Sequence, residues 1–393
     1  MAPPTKTIFS SIIMNIIGVL GFLLSPLIVG HLVDGYNLST AQAGYFIAFL
    51  MLGIMLSSIT MFLIGVRLNQ KLVRALALLV GALGYIMIGV LKDYYLLICL
   101  AAITGFAGGL LSSANFVFLS TTEKVSRNLS ILMFLMTGVG AISLLGITQI
   151  SSFFGSESIF FTFSIMHLLA LPLVLFIEPV LKAVEVEYES VIGNGGNYSN
   201  KTLPWLCLIM FFFTYVAIGA FWPYAERLGI TAGLSPEKIG VLLGFGLILT
   251  LLGCIVAYCL AEHKGYNRPL SFALLVLGFI FIFLGFSTSP YTYVICILIF
   301  YFLWNMIDIF ELGVLSSVAK EGRYVALAVA LQAFGAMIGP MLGASLLAAD
   351  LPLSAVMYTG AICICAVLAL LVYVDFRQMR RVAMLHISPE GKL

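Results

Sequence analysis

The chain has 393 residues, of which 62% are apolar and only 9% carry a charge, whereas charged residues make up about a quarter of soluble globular proteins. This composition and the mean hydropathy of +1.14 exclude an ordinary water-soluble domain and predict an integral membrane protein. The formal net charge of +2 says little about partners, because the distribution of charge along the chain matters more than its sum.

Apolar runs long enough to cross the hydrocarbon core of a bilayer, about 20 residues each, occur twelve times and predict an all-α fold of twelve transmembrane helices. We expect these spans at residues 8–33, 41–64, 72–91, 95–119, 129–153, 157–180, 203–228, 236–260, 269–288, 291–318, 324–348 and 353–376. The first run is too long for the core of a signal peptide and has no clear cleavage site, so it is expected to be retained as the first span.

The basic residues predict the orientation of the spans. Of the 19 Lys and Arg residues, 16 fall on the side of the N-terminus, and only Lys92, Arg227 and Lys238 fall on the other side. Because Lys and Arg are enriched on the cytoplasmic side of membrane proteins, both termini are expected in the cytoplasm. The expected location is the plasma membrane, which in a bacterium is the inner membrane.

Residues 182–201 form the only long hydrophilic connection in the chain. Their Gly, Asn and Glu residues are typical of a flexible, solvated linker. We therefore expect two bundles of six helices, residues 1–181 and 202–393, joined by a cytoplasmic linker. The second bundle ends in a short cytoplasmic tail.

A shift of 196 residues relates the two halves. It maps Gly44 onto Gly240 near one end and Arg127 onto Arg323 near the other. One register that holds at both ends indicates a duplication. Parallel repeats of six spans place a binding site at their interface near the middle of the membrane.

Two carboxylic acids, Asp308 and Glu311, lie inside the otherwise almost wholly apolar tenth run, which has no Lys or Arg. On a helix they share one stripe with Tyr301 and Trp304. An acid at membrane depth must be protonated, hydrated in a cavity or neutralised by another helix, and each of these outcomes indicates a site. The alternative is that both acids stay neutral and make hydrogen bonds between helices.

Two carboxyl groups at this spacing resist simultaneous ionisation in a medium of low dielectric constant, so the pair is expected to hold at least one proton near neutrality. Asp308 and Glu311 are therefore the candidates for proton coupling. The shift of 196 residues places Asn115 opposite Glu311, which makes Glu311 the first choice. Asp308 is alternatively a contact for a cationic substrate.

Twelve spans in two repeated halves, with a cytoplasmic linker and both termini inside, resemble the major facilitator superfamily over the whole chain. The loop between the second and third spans of that family usually reads Gly-x-x-x-Asp-Arg-x-Gly-Arg-Arg. Here Gly65 and Arg74 match its first and last residues, and Asn69 replaces its Asp. The second half resembles the same element, with its acid kept, at Glu262, Gly265 and Arg268. The resemblance implies that both loops act as cytoplasmic gates.

The eleventh span carries a second resemblance, in the run from Gly335 to Ala344, which reads Gly-x-x-x-Gly-Pro-x-x-Gly-Ala. Antiporters of the superfamily carry a similar glycine-proline motif in the fifth span. The fifth span here lacks the proline, and the fourth lacks the membrane-embedded Arg typical of proton-coupled drug exporters. Both departures count against a drug exporter. The glycines fit close helix packing and a gating role equally well.

The architecture of the superfamily implies that spans 1, 4, 7 and 10 line a cavity. The candidate cavity residues are Asn15, Asn115, Tyr215, Trp222, Glu226, Tyr301, Trp304, Asn305 and, on span 11, Gln332. On a continuous seventh helix Tyr215, Trp222 and Glu226 share one face, and Pro223 is expected to kink the helix. An aromatic cavity with few fixed charges suits an organic solute of apolar or cationic character. The same rings also fit core or lipid-facing positions.

We therefore expect a proton-coupled secondary active transporter that moves a small organic solute by alternating access. A proton-antiport exporter of amphiphilic or cationic compounds and an uncoupled facilitator stay open as alternatives. A membrane enzyme or sensor fits least, because the sequence shows no nucleophile motif, nucleotide loop or metal cluster. The expected partners are the solute, protons and membrane lipids, with no cofactor, metal or nucleic acid, and the chain is expected to be a monomer.

Overall fold

The computed structural model describes residues 5–64, 68–120, 122, 124–177, 202–286, 289–319 and 322–387. In this part of the chain, twelve helical segments are long and apolar enough to cross a membrane. Because hydrocarbon offers no partner to backbone N–H and C=O groups, apolar runs in a bilayer pair these groups internally as helices. The prediction of twelve spans in an all-α membrane protein is confirmed.

The spans have the following bounds. Span 1 consists of Thr5–Leu23 and Ser25–Tyr36, spans 2 to 5 are Thr40–Ile64, Gln70–Val90, Tyr94–Ser120 and Val125–Phe154, and span 6 is Ser158–Ala170 with a 3-10 turn at Leu171–Phe176. Span 7 consists of Thr202–Phe221, a 3-10 turn at Trp222–Tyr224 and Ala225–Thr231. Spans 8 to 12 are Pro236–Lys264, Asn267–Phe286, Pro290–Val318, Gly322–Ala348 and Leu353–Ile387. The last helix continues well past its predicted end at residue 376, because a helix does not have to stop where the apolar run stops.

Within the described ranges, three spans are interrupted, each next to a proline: Pro26 in span 1, Pro172 in span 6 and Pro223 in span 7. Proline lacks the backbone N–H and clashes with the preceding helical turn. The predicted kink beside Trp222 is confirmed. Because the helix is broken there, Glu226 lies on a separate short helix, and the expectation that it shares one continuous helical face with Tyr215 is wrong.

The spans alternate in direction, so the bundle has two faces. We call the face at which Thr5 lies the proximal face and the face at which Tyr36 lies the distal face. Span 4 packs on spans 1, 2 and 3, and span 3 packs on span 6; equivalent contacts join span 10 to spans 7, 8 and 9, and span 9 to span 12. Between the first six and the last six spans, span 2 packs on span 11, span 5 packs on span 8, and span 1 meets span 7.

The two long seams between the halves follow the shift of 196 residues. A Cβ atom added to Gly44 of span 2 would lie 3.1 Å from the Cβ of Ala344 of span 11. A Cβ atom added to Gly240 of span 8 would lie 3.1 Å from the Cβ of Thr148 of span 5. Adding 196 to Gly44 and Thr148 gives Gly240 and Ala344, so the register read from the sequence also relates the two seams.

Candidate functional site

The two acids of span 10 face span 7. The Tyr215 hydroxyl donates a hydrogen bond to Asp308 Oδ2 over 2.9 Å, and the Thr214 hydroxyl donates one to Glu311 Oε1 over 2.6 Å. Two consecutive residues of span 7 thus hold two acids that are one helical turn apart. The second oxygen of each carboxyl group, Asp308 Oδ1 and Glu311 Oε2, is buried and has no hydrogen-bond partner among the residues that the structure describes.

The acids differ in how deeply they are buried. Glu311 is only 1% exposed, whereas Asp308 is partly exposed. The ion pairs in the described part of the chain involve other carboxylates. Asp308 is thus the less deeply buried residue of the two, although its Oδ1 atom is buried like Oε2 of Glu311.

Aromatic rings cover the distal side of the acids. The Trp222 ring stacks on Phe300 with 17° between the planes, and it meets Trp304 edge-on with 5.4 Å between the ring centroids. Trp304 Nε1 lies 3.5 Å from the Tyr215 hydroxyl. The Tyr301 ring lies against Gly246 of span 8, where a larger residue would displace it. The four rings form a continuous aromatic group above the carboxyl pair.

This aromatic group also joins the two halves of the bundle. Trp222 Nε1 donates a hydrogen bond over 3.2 Å to the backbone oxygen of Phe22 in span 1. The Phe22 ring meets Trp304 edge-on, with 6.2 Å between the ring centroids. The break in span 1 follows directly after this contact, at Leu24. Trp222 and Trp304 therefore both contact span 1 just before its break.

Two further cavity candidates lie near the acids. Gln332 of span 11 interacts with the Tyr215 side chain, and Asn305 interacts with Cys254 of span 8. Both Gln332 and Asn305 are partly exposed. Gln332 thus shares Tyr215 with Asp308, whereas Asn305 contacts span 8.

Asn15 and Asn115 lie in helix contacts of the first half. Asn15, 4% exposed, donates a hydrogen bond over 2.7 Å to the backbone oxygen of Ser112. Asn115 is fully buried, and its Oδ1 accepts a hydrogen bond from Arg74 Nε over 2.8 Å. Both amides hold neighbouring helices together in this conformation.

Arg74, the last residue of the loop motif, lies inside span 3, within the predicted bounds of that span, and is only 1% exposed. Besides Asn115, its guanidinium binds the backbone oxygen of Ala114 over 2.9 Å and two oxygens of Gln70. The helix begins before Arg74 because Asn69 caps it: Asn69 Oδ1 accepts hydrogen bonds from the N–H groups of Lys71 and Leu72. Asn69 stands where the family motif has Asp, and it serves as the N-cap of span 3.

The second loop keeps its glycine for a conformational reason. Gly265 has a φ of 67°, a conformation that favours glycine. Glu262 and Arg268 beside it are exposed. Gly65, in the first loop, lies outside the described residues.

The distal face carries a group of three charged residues whose contacts the sequence did not predict. Arg227 binds both oxygens of Asp34 of span 1, over 2.8 and 2.6 Å. It also binds both oxygens of Glu226. The structure therefore places Glu226 in the contact between spans 1 and 7, away from Tyr215. Asp34 and Thr214 were missed, although the opposite charges of Asp34 and Arg227 on one side of the predicted membrane were a usable signal.

Residues 10–321 match the model of the Major Facilitator Superfamily. The chain belongs to this superfamily. The resemblance stated from the sequence is therefore confirmed, and the protein is an integral, multi-pass membrane protein of a transporter family. No curated protein matches the chain.

Solved structures show the same superfamily fold. A crystal structure of a mutant of the nucleoside transporter NupG matches with a TM-score of 0.75 and 10% identity, covering 94% of this chain and 99% of that chain. A second crystal structure of NupG matches with a TM-score of 0.70 and 13% identity, covering 95% and 98% of the two chains. At this level of identity, the likeness shows the fold.

Proposed function

We propose that the protein is a proton-coupled secondary active transporter that moves a small organic solute by alternating access. The observation that carries the proposal is the carboxyl pair of span 10. Asp308 and Glu311 each have one oxygen bonded to span 7 and a second oxygen without a described partner. Buried polar atoms in native proteins are usually paired, so these two oxygens support a site for protons and solute.

Glu311 is the proposed proton carrier. It is almost fully buried, and an ionised carboxylate in such a place costs several kcal/mol without an opposite charge. A proton on Glu311 removes most of this cost. Because the bond from Thr214 joins spans 7 and 10, the protonation of Glu311 can bias how these two cavity-lining helices pack.

Asp308 is the proposed solute contact. The Tyr215 hydroxyl that binds Asp308 also lies 3.5 Å from Trp304 Nε1, and the Tyr215 side chain interacts with the partly exposed Gln332. A carboxyl group close to aromatic side chains suits a solute with an apolar ring and hydrogen-bond donors, or with a cationic group. Because the solved structures of similar fold are of a nucleoside transporter, nucleosides belong among the solutes to be tested.

Two further proposals concern arrangement. The equivalent seams at Gly44 and Gly240 support a division into two bundles, residues 1–181 and 202–393; the linker, residues 182–201, lies outside the described residues. The excess of basic residues supports a cytoplasmic proximal face, with both termini inside and the protein in the plasma or bacterial inner membrane. On this orientation, the contacts of Trp222 and Arg227 with span 1 close the protein towards the outside.

The test is transport by the purified protein in liposomes with an imposed proton gradient, using a panel of nucleosides, organic amines and uncharged sugars. Proton flux is followed at the same time with a dye inside the liposomes. Solute and proton flux in the same direction supports symport, and opposite directions support antiport. Solute flux that does not depend on the proton gradient supports an uncoupled facilitator and contradicts proton coupling.

A further inference from the structure

One guanidinium on the distal face is shared by two carboxylates. Arg227 presents one edge to Asp34, through NH1 at 2.8 Å and NH2 at 2.6 Å. It presents its other edge to Glu226, through Nε at 2.6 Å and NH2 at 2.9 Å. Pairs of parallel hydrogen bonds of this kind are strong and fix geometry. The two acids come from opposite halves of the bundle, because Asp34 belongs to span 1 and Glu226 directly precedes Arg227 on span 7.

The two carboxylates are buried to different extents. The side chain of Asp34 is 58% exposed, whereas that of Glu226 is 4% exposed. Glu226 is covered by span 1, where a Cβ atom added to Gly30 would lie 2.7 Å from the Glu226 carboxyl carbon. Only a glycine at position 30 lets the two spans approach this closely over the carboxylate.

We propose that Asp34, Arg227 and Glu226 form a reversible latch between the halves, in which Asp34 favours the closed distal face and Glu226 favours its opening. This inference rests on the proposed alternating access. When the distal face opens, Arg227 separates from Asp34 but stays paired with Glu226. The guanidinium therefore has a carboxylate partner in both states. In the closed state Glu226 repels Asp34 and is itself removed from water. Both effects weaken the closed state relative to the open one.

The latch predicts opposite effects for the two acids. Asp34→Asn removes the attraction between spans 1 and 7. It shifts the protein towards the distal-open state, about fivefold in the ratio of open to closed, as for a partly exposed ion pair. Glu226→Gln leaves Asp34 as the only acid on Arg227, so it shifts the ratio towards the closed state by a similar factor. A purely structural charge cluster would lose packing in both variants and would not give opposite signs.

Opening of the distal face can be measured as the distance between labels at two exposed tyrosines. Tyr95 of span 4 is 76% exposed and Tyr291 of span 10 is 81% exposed, and they are related by the shift of 196 residues. A ketone-bearing phenylalanine analogue at both positions accepts spin labels without removing native cysteines. Electron spin resonance in nanodiscs then gives the distance distribution across the distal face, over a series of pH values. A second labelled pair, at Phe116 and Leu312, gives the distance between the same two spans closer to the proximal face.

Matched controls are available. Lys92 pairs with Glu157 at 3.2 Å and lies over the Tyr36 ring of span 1, so Lys92→Gln removes an ion pair of the distal face that does not join spans 1 and 7, and it should leave the distances unchanged. Gly30→Ala places a methyl group against Glu226 and should favour the open state, which gives a second test if an acid variant is poorly folded. Gly146→Ala, at a position with no atom within 4 Å of the added Cβ, is its control.

Opposite shifts in Asp34→Asn and Glu226→Gln, with Lys92→Gln unchanged, support the latch. Shifts of the same sign, or no shift in a protein whose distal and proximal distances still change reciprocally with pH, overturn the latch and leave the proposed transport cycle standing. A single fixed distance at both faces in every variant and at every pH overturns the latch and alternating access together.

Discussion

Thr214 of span 7 donates a 2.6 Å hydrogen bond from its hydroxyl to Oε1 of Glu311 in span 10. Thr214 is fully buried and Glu311 is 1% exposed, so water does not replace this bond when it is lost. The neighbouring bond from Tyr215 to Asp308 runs beside it. These two bonds connect the proposed proton site to a helix that also contacts the other half of the bundle.

Replacing Thr214 tests this connection. Thr214→Val keeps the shape of the side chain but leaves Glu311 Oε1 unpaired, so we expect a loss of about 1 to 3 kcal/mol of stability. Thr214→Ser keeps the hydroxyl and is the control. Thermal unfolding in detergent measures the difference. If the Val variant is as stable as the Ser variant, the bond does not hold the two spans together.

Arg74 and Asn115 should depend on each other. Arg74→Lys cannot supply the several donors that now bind Asn115, Ala114 and Gln70, because an ammonium lacks the planar fork of a guanidinium. We expect Arg74→Lys and Asn115→Ala each to destabilise the protein, and the double variant to lose about 1 to 2 kcal/mol less than the sum. A double-mutant cycle of unfolding free energies measures this coupling. Strict additivity would contradict it.

Glycines of the first half should differ sharply in their tolerance to alanine. A Cβ atom added to Gly108 would lie 2.6 Å from the backbone oxygen of Gly18, so Gly108→Ala must separate spans 1 and 4 and should cost about 1 to 3 kcal/mol. Gly138 has no atom within 4 Å of an added Cβ. Gly138→Ala should therefore be neutral or stabilising. Equal melting temperatures for the two variants would mean that span 1 moves freely on span 4.

The orientation is tested by labelling single cysteines at two exposed lysines, Lys92 on the distal face and Lys264 on the proximal face. In intact cells, and in a background without the native cysteines, a membrane-impermeant thiol reagent should label position 92. Position 264 should be labelled only after the membrane is permeabilised. The reverse pattern would place the basic face outside and contradict the proposed orientation.

The sequence predicted the spans well because the bilayer imposes one requirement on all of them, a long apolar run. It also predicted the break at Pro223, because a proline acts locally on its own helix. The extension of span 12 was missed because polar residues can continue a helix beyond the membrane.

The contacts between distant residues could be predicted only in part. The stripe of Asp308 and Glu311 follows from helical spacing, but the partners of the two acids on span 7 depend on how two helices pack. Burial of Arg74 runs against the ordinary exposure of arginine, and its partner Asn115 is 41 residues away. The pair of Asp34 and Arg227 joins residues 193 positions apart; their opposite charges on one side of the membrane allow this pair but do not specify it.

The most direct test of proton coupling compares wild type with Glu311→Gln in liposomes, using the solute identified in the transport screen. Glutamine keeps the size of the side chain and mimics a permanently neutral acid. We predict that Glu311→Gln still exchanges labelled for unlabelled solute but no longer accumulates it against a gradient when protons are the only driving force. Asp308→Asn should instead weaken binding of the solute. Accumulation by Glu311→Gln equal to that of wild type at every pH tested would contradict the assignment of Glu311 as the proton carrier.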